Sequence, residues 1–268
     1  MRPGAAKGWE YRGRWALVTG ASSGIGEAFA RALARRGTSV VLTARRVERL
    51  ERLAAELRSA HGVETVVVAM DLGEPGVAAR VWEEASRGRA IHLLVNNAGF
   101  GAKGRFDEVA LARQEEMVRL NCTAPMELMH LALPGMRARG EGGIVNVASV
   151  AAFQPIPDLA TYAASKAFVL SLSEAVAEEC RGSGVRVLAL NPGPVATGFQ
   201  EVAGTRVGAR TIGILSAERV VEAALAALEA GKTSVTPGMV NHLGTLAGRI
   251  FPRSLVLRAA KTLMKKLR

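Results

Sequence analysis

The stretch that decides the fold is Arg14-Trp-Ala-Leu-Val-Thr19, followed at once by Gly20-Ala-Ser-Ser-Gly24-Ile-Gly26. The first part is a short apolar run that predicts a buried strand, and the second is a glycine-rich turn that opens a helix. Glycines at such a turn let the backbone approach a phosphate at the helix N terminus. The spacing is Gly-x3-Gly-x-Gly rather than Gly-x-Gly-x-x-Gly, so a turn that binds nothing is the competing interpretation.

Short apolar segments alternate with longer amphipathic segments along the rest of the chain. Strands are predicted at 14–19, 39–43, 63–70, 91–95, 144–148, 185–190 and 234–236, and helices at 24–36, 46–60, 76–87, 111–139 (broken or bent near Pro125 and Pro134), 159–181 and 217–230. The alternation predicts an α/β fold, a doubly wound Rossmann-type parallel sheet of about seven strands flanked by helices. We expect one domain over residues 1–237, with residues 238–268 as its basic helical extension. Ligands of such sheets bind at the carboxyl ends of the strands.

Composition and charge exclude several functional classes. The net charge is +11, but residues 1–14 and 249–268 together hold +10 of it, so the body is nearly neutral and does not suit a nucleic acid. The four histidines are scattered without ligand spacing, and we expect no metal site. Cys122 and Cys180 lie in apolar helical patterns and are expected to be buried thiols. Without a signal peptide or a membrane-spanning run, the sequence indicates a cytoplasmic protein.

The stretch from Ser149 to Lys166 carries the candidate chemistry. Asp158 is a reasonable helix cap, so Tyr162 and Lys166 would lie one turn apart on one helical face. A neighbouring ammonium favours the ionised phenol, and a tyrosine tuned in this way can exchange a proton near neutral pH. An ordinary amphipathic helix in which the two residues coincide is the alternative.

One motif suggests a different reaction. Gly20-Ala-Ser22-Ser-Gly24 matches Gly-x-Ser-x-Gly, the nucleophile elbow of α/β-hydrolases, in a strand–turn–helix setting. A hydrolase would need a histidine late in the chain, for which His242 is the candidate. Its elbow also normally follows several strands rather than the first.

Taken together, the motifs resemble the short-chain dehydrogenase/reductase family over roughly Arg14 to Thr236. The motifs, in family order, are Thr19-Gly-Ala-Ser-Ser-Gly-Ile-Gly26, Asp71, Asn96-Asn-Ala-Gly99, Asn121, Ser149, Tyr162-x-x-x-Lys166 and Asn191-Pro-Gly-Pro-Val-Ala-Thr197. The resemblance implies a catalytic tetrad of Asn121, Ser149, Tyr162 and Lys166. Tyr162 would exchange the proton, Lys166 would lower its pKa and bind the nicotinamide ribose, Ser149 would donate to the reacting oxygen, and Asn121 would position a water.

The same resemblance assigns the cofactor contacts. Asp71 would meet the adenine, Asn97 to Gly99 the adenosine ribose, and the segment from Pro192 to Thr197 the nicotinamide end. The full set is Gly20, Ser22, Ser23, Gly24, Ile25, Gly26, Arg45, Arg46, Asp71, Leu72, Asn97, Ala98, Gly99, Tyr162, Lys166, Pro192, Gly193, Val195 and Thr197. For Asn97, an amide that ties adjacent strands together is an equal alternative.

The end of the second strand indicates which nicotinamide cofactor is preferred. An acid there would bond the ribose 2′-hydroxyl and select NAD(H). Here the strand ends in Ala44-Arg45-Arg46, and arginine suits a 2′-phosphate, so we expect NADP(H) to be preferred and NAD(H) to be the alternative. The competing interpretation is that Arg46 begins a solvated helix face.

The substrate and the tail are less constrained. The apolar loop after Ser149, with Phe100 and the 193–215 loop, suits a hydrophobic ketone such as a 3-oxoacyl or steroid-like carbonyl. The basic amphipathic tail can lie on an anionic membrane, or pack on the body or a partner subunit. We expect a homodimer or homotetramer. A catalytically silent dinucleotide-binding sensor or scaffold is the alternative function.

Overall fold

The computed structural model describes residues 9–195, 213–250, 254–258 and 260. Seven parallel strands form one sheet in the order β3-β2-β1-β4-β5-β6-β7. The strands are β1 (Trp15–Thr19), β2 (Ser39–Ala44), β3 (Thr65–Ala69), β4 (Ile91–Asn96), β5 (Gly142–Val147), β6 (Val185–Leu190) and β7 (Ser234–Val235). The strand order reverses between β1 and β4, and such a reversal opens a crevice at the carboxyl ends of the strands. The doubly wound sheet is therefore confirmed.

Helices connect the strands and cover both faces of the sheet. They are α1 (Gly24–Arg35), α2 (Val47–His61), α3 (Val77–Ser86), α4 (Leu111–Val118), α5 (Ala124–Arg139), α6 (Ala160–Glu179), α7 (Ala217–Glu229) and α8 (Met239–Ile250). α1, α2 and α7 pack on one face, and α3, α5 and part of α6 pack on the other. Because successive strand residues point to opposite faces, Ala16 and Val18 enter the first core and Leu17 enters the second.

The helical region predicted over 111–139 is broken near Pro125, as expected. A π-helical segment, Arg119–Thr123, separates α4 from α5 shortly before Pro125. Pro125 occupies the first turn of α5, where its missing N–H would have had no helical partner. Pro134 lies inside α5, which continues to Arg139. π-helical turns are frequent at functional sites, and this one contains Asn121.

The prediction that Asp158 caps α6 is wrong. Leu159 is the residue that precedes the helix, and Asp158 lies one position further out with a φ of +63°. Asp is among the few residues with a side chain that tolerate this left-handed conformation. The Asp158 carbonyl oxygen accepts a hydrogen bond from Gly104 N at 2.9 Å. The one-turn spacing of Tyr162 and Lys166 is unaffected, because both lie within α6.

The C-terminal segment packs on the domain body. Val256 and Leu257, from a helical stretch at 254–258, line a cavity of about 590 Å³ together with the 152–157 loop and α6. Ala260 is buried. α8 contacts the turn that follows β5, yet its Met239 and Leu243 side chains are exposed. Among the helices of the described residues, we find none with the length and apolar character to cross a membrane.

Candidate active site

The glycine-rich turn lies between the ends of β1 and β4. Gly20 has a φ of +65°, and a Cβ on Gly26 would lie 2.3 Å from the Gly20 carbonyl oxygen, so neither position accepts a side chain without strain. Asn97 Nδ2 donates to the carbonyl oxygens of Thr19 and Gly20 at 2.9 and 3.3 Å. Thr19 Oγ1 accepts from the Asn97 and Ala98 backbone N–H groups, each at 2.9 Å. The Asn97 amide thus ties two neighbouring strands together, as its structural interpretation required.

The turn and the helix after it fit a dinucleotide. α1 starts at Gly24, and within the described residues no side chain caps its N terminus. The open N–H groups and the positive end of the helix dipole favour a phosphate there. The close approach of Gly26 to Gly20 keeps this cradle free of side chains. These residues would hold the pyrophosphate of a dinucleotide.

The two arginines after β2 make different contacts. Arg46 Nη2 donates to Ser22 Oγ and to Ser23 Oγ, both at 2.8 Å, and so lies on the glycine-rich turn. Arg45 turns away, with its Nη1 3.5 Å from Asp71 Oδ2 and 3.7 Å from Glu116 Oε1. A guanidinium beside two hydroxyl groups is a ready set of donors for a phosphate. Arg46 is therefore better placed than Arg45 to bind one.

The remaining expected cofactor residues lie along the same edge. Asp71 Oδ1 accepts from Gly73 N at 2.8 Å, which orders the turn after β3. Leu72 is buried, and Ile25 of α1 packs against the core. Pro192, Gly193 and Val195 follow β6, and the Pro192 carbonyl oxygen accepts from Val150 N at 3.0 Å. Thr197 lies outside the described residues.

Asn121, in the π-helical segment, is buried and fully hydrogen-bonded. Its Nδ2 donates to the Phe100 carbonyl oxygen at 2.9 Å and to Ser165 Oγ at 3.0 Å. Its Oδ1 accepts from Phe100 N at 3.1 Å. The side chain therefore fixes the loop after β4 against α6. Both amide hydrogens are thus used within the fold.

Ser149 and Tyr162 meet at the carboxyl end of β5. Ser149 is buried, and its Oγ accepts from Ala151 N at 3.1 Å, which leaves its own hydrogen free to be donated. The Ser149 and Tyr162 hydroxyl groups are hydrogen-bonded. Burial raises the pKa of Tyr162, while the bond to Ser149 opposes that rise. The expected lowering of the Tyr162 pKa by Lys166 is thus not found in this state.

Lys166 lies one helical turn beyond Tyr162 and is almost fully buried. Its Nζ donates to the Val147 carbonyl oxygen at 2.8 Å and lies 5.9 Å from the centre of the Tyr162 ring. Burial lowers the pKa of Lys166 to about 8. Asn121 Oδ1 and Lys166 Nζ both flank Gly99, since a Cβ there would lie 2.9 Å from the first and 3.4 Å from the second. Asn121 and Lys166 therefore meet beside Gly99, and Tyr162, one turn before Lys166 in α6, is hydrogen-bonded to Ser149.

The cysteines and histidines add no second site. Both Cys122 and Cys180 are buried free thiols. Burial raises the pKa of Cys122, and its Sγ lies 3.7 Å from the Ser165 carbonyl oxygen, which fits a packing role. Within the part of the chain that the structure describes, no three His, Cys, Asp or Glu side chains cluster as metal ligands would.

A family model described as short chain dehydrogenase matches residues 14–207. The chain belongs to the short-chain dehydrogenase family. Very-long-chain 3-oxoacyl-CoA reductase of Anas platyrhynchos is 34% identical over 263 residues, which cover 96% of this chain and 81% of that relative. Another short-chain dehydrogenase relative, from Homo sapiens, is named Inactive hydroxysteroid dehydrogenase-like protein 1; it is 34% identical and covers 69% of this chain and 57% of its own length.

Solved structures of short-chain dehydrogenases agree with the fold. One, reported for 7beta-hydroxysteroid dehydrogenase stereoselectivity, has a TM-score of 0.86 at 30% identity and covers 94% of this chain and 98% of that one. A short-chain dehydrogenase from Sphingobium yanoikuyae in complex with NADPH has a TM-score of 0.79 at 33% identity, covering 95% and 96%. Family membership supports NAD(P)-dependent oxidoreduction between a carbonyl and an alcohol.

Proposed function

We propose that this chain is an NADP(H)-dependent oxidoreductase acting on a hydrophobic ketone or the matching secondary alcohol. One observation carries the proposal: Asn121 and Lys166 flank Gly99, and Tyr162, one turn before Lys166, is hydrogen-bonded to Ser149, at the sheet edge that also holds the glycine-rich turn. A proton donor, a second hydroxyl donor and a buried cation in one crevice suit carbonyl reduction.

Tyr162, Ser149 and Lys166 have different roles in the proposed reaction. Tyr162, whose pKa burial raises, keeps its proton at neutral pH and gives it to the carbonyl oxygen in the reductive direction. Ser149 Oγ, held by Ala151 N, directs a second donor at the same oxygen. When bound, the nicotinamide supplies or accepts the hydride. Lys166 holds positive charge beside the site and would bind the nicotinamide ribose.

The preference for NADP(H) rests on Arg46. Its contacts with Ser22 and Ser23 would become contacts with a 2′-phosphate. We expect Arg46→Ala to lower the ratio of NADPH to NADH affinity by about tenfold or more, since a hydrogen bond to a charged group contributes about 1.5–3 kcal/mol. Arg45→Ala is the matched control, with the smaller effect. Fluorescence titration gives both ratios, and an unchanged ratio in Arg46→Ala would contradict the preference.

An apolar cavity supports a hydrophobic substrate. Ala152, Phe153, Pro155 and Ile156 line the cavity of about 590 Å³ behind the active-site loop. Relatives named for 3-oxoacyl-CoA and hydroxysteroid chemistry point to the same class of carbonyl. The 193–215 loop, expected to complete this wall, lies largely outside the described residues.

Turnover of NADPH with a panel of ketones tests the reaction. We expect oxidation of NADPH with 3-oxoacyl and steroid ketones, and a loss of about 100-fold or more in Tyr162→Phe, because general acid catalysis contributes about 10²–10⁴-fold. NADPH binding without turnover on any ketone would favour the silent scaffold, for which the inactive human relative is a precedent. The intact set of Ser149, Tyr162 and Lys166 favours the enzyme.

Exposed apolar side chains on α4, α5 and α6 support self-association. Leu111, Val118, Met126 and Phe168 are all exposed. Burying such residues between copies is favourable, and a homodimer or homotetramer would do so. Light scattering after size exclusion gives the mass, and a monomer at micromolar concentration would contradict it.

For the tail, packing on the body is supported by Val256 and Leu257. Peripheral membrane contact remains the second candidate, because residues 249–268 hold seven Lys and Arg and no acid. Flotation of the full chain and of residues 1–237 with anionic liposomes separates the two, since equal flotation would exclude a role of the tail in membrane binding.

A further inference from the structure

Asn241, in the first turn of α8, is a buried polar residue outside the expected site. Its Nδ2 donates to the Gly213 carbonyl oxygen and to the Pro237 carbonyl oxygen, both at 3.0 Å. Its side chain is 8% exposed. The bond to Pro237 is local, at the start of α8, whereas the bond to Gly213 reaches a separate segment and fixes that segment against α8.

Two glycines make room for the Asn241 side chain. A Cβ on Gly193 would lie 2.4 Å from Asn241 Cγ, and a Cβ on Gly213 would lie 2.5 Å from Asn241 Oδ1. Real Cβ atoms do not approach so closely, so the three residues fit one another as a set. Gly193 follows β6, whereas Gly213 begins the segment that leads into α7.

The segments around Gly193 and Gly213, which both pack on the Asn241 side chain, also contact each other and the active site. Leu215 N donates to the Pro194 carbonyl oxygen at 3.2 Å, and Val195 pairs with Leu215 in a parallel bridge. Val150 N, adjacent to Ser149, donates to the Pro192 carbonyl oxygen at 3.0 Å. A chain of contacts therefore leads from Asn241 through 192–195 to the turn that carries Ser149.

We infer that Asn241 is a positioning residue for the nicotinamide end of the site, acting by holding the 192–195 loop against the Ser149 turn. The inference rests on the proposed function, because it assigns that loop to the nicotinamide. Asn241 does not touch the glycine-rich turn or Arg46, which lie at the opposite end of the crevice. Its loss should therefore weaken binding of the nicotinamide half of NADPH and spare the adenosine half.

Two ligands separate these halves. Adenosine 2′,5′-bisphosphate carries the adenosine end without the nicotinamide, and NADPH carries both. We expect Asn241→Ala to weaken NADPH binding by about tenfold, the order expected when the hydrogen bonds that hold the loop are lost, while bisphosphate affinity stays within about twofold. Titration calorimetry measures both. Thr245→Ala, which removes a bond to the His242 carbonyl oxygen in the same helix, is the matched control and should leave the ratio unchanged.

Gly193→Ala approaches the same contact from the other side. The added methyl group collides with Asn241, so the same selective loss is expected even if Asn241→Ala folds poorly. In Gly193→Ala/Asn241→Ala the methyl group occupies vacated space, and the combined loss should be smaller than the product of the single losses.

The outcomes separate the two proposals. Equal weakening of both ligands, or no weakening of either, in Asn241→Ala would overturn the positioning role while the wild type still binds NADPH. Losses that multiply in the double variant would overturn it as well. A wild type that binds neither ligand would overturn the proposed function and the inference with it.

Discussion

The two edges of the sheet use charge and aromatic groups differently. At the amino edge, the Trp9 ring lies 6.0 Å from the Arg14 guanidinium and 5.7 Å from that of Arg186. Arg14 also pairs with Glu141 at 2.9 Å. Each cation there has an opposite charge or an aromatic face beside it, an arrangement that stabilises the fold.

The carboxyl edge of the same strands is arranged for reactivity instead. Lys166 is buried, and its Nζ donates a hydrogen bond to the carbonyl oxygen of Val147, a neutral group. The buried Tyr162 and Lys166 therefore both have pKa values that disfavour their charged forms. Residues that stabilise the fold and residues that carry the chemistry thus lie at opposite ends of the same strands. Variants at the amino edge should lower the free energy of unfolding, and variants at the carboxyl edge should lower turnover.

The largest effect is expected at Ser149. Ser149→Ala removes the second donor to the reacting oxygen, so turnover should fall by about 100-fold or more. The free energy of unfolding should fall by no more than about 1 kcal/mol, because the bond from Ala151 N is that of a local turn. Ser173→Ala is the control. It removes another buried serine hydroxyl, which accepts a hydrogen bond from Asn146 Nδ2, and should lower the free energy of unfolding without slowing turnover. Equal losses of turnover in both variants would contradict a specific role of Ser149 in the reaction.

The next effect is a pH dependence at Lys166. Its folded-state pKa of about 8 lies below the ordinary value of 10.5, so the unfolded chain binds more protons between these values. The cost of burying the ammonium is complete below pH 8 and disappears as the pH rises to 10.5. The unfolding free energy of the wild type, relative to that of Lys166→Met, should therefore rise by about 3 kcal/mol across this window. Urea unfolding of both proteins at several pH values measures this difference in free energy. A difference that does not change with pH would show that burial does not lower the pKa of Lys166.

The smallest effect is expected at the amino edge. Trp9→Ala removes a half-buried ring that contacts Arg14, Arg186 and Gly143, and should lower the free energy of unfolding by about 2 kcal/mol. Turnover at saturating substrate should stay within twofold of wild type. A larger drop in turnover would mean that the two edges are coupled through the strands.

Most of the fold could be predicted because its strands are buried on both faces. The strand Val185–Leu190, apolar at every position but Arg186, was predicted with its observed bounds. The π-helical segment could not be predicted, because Leu120 and Cys122 keep an ordinary helical pattern through it. Asp158 failed as a cap because its left-handed conformation is set by the contact with Gly104, far away in sequence.

The sequence motifs predicted which residues lie at the site. They did not predict the directions in which individual side chains point. Arg45 and Arg46 are adjacent and identical in type, so their sequence does not reveal that one meets Asp71 and the other Ser22. Asn241 gave no signal, since a lone amide in an apolar helix shows its role only beside Gly193 and Gly213. The Tyr162 pKa was misjudged because burial is a property of the fold rather than of spacing.

The π-helical segment at Arg119–Thr123 also acts as a phase shift between two helices. Each residue of an α-helix turns the chain by about 100°, so the wider turn rotates everything after it relative to α4. It thereby brings the stripe of Leu128, Ala132 and Met136 onto the sheet, while Gln114 of α4 reaches Thr161 of α6. A π turn takes up one residue more than an α turn, so deleting one residue between 119 and 123 would let the segment wind as an α-helix with that stripe still on the sheet. Such a deletion should keep a cooperative thermal transition and lose turnover, because it displaces Asn121, the expected active-site side chain in the segment.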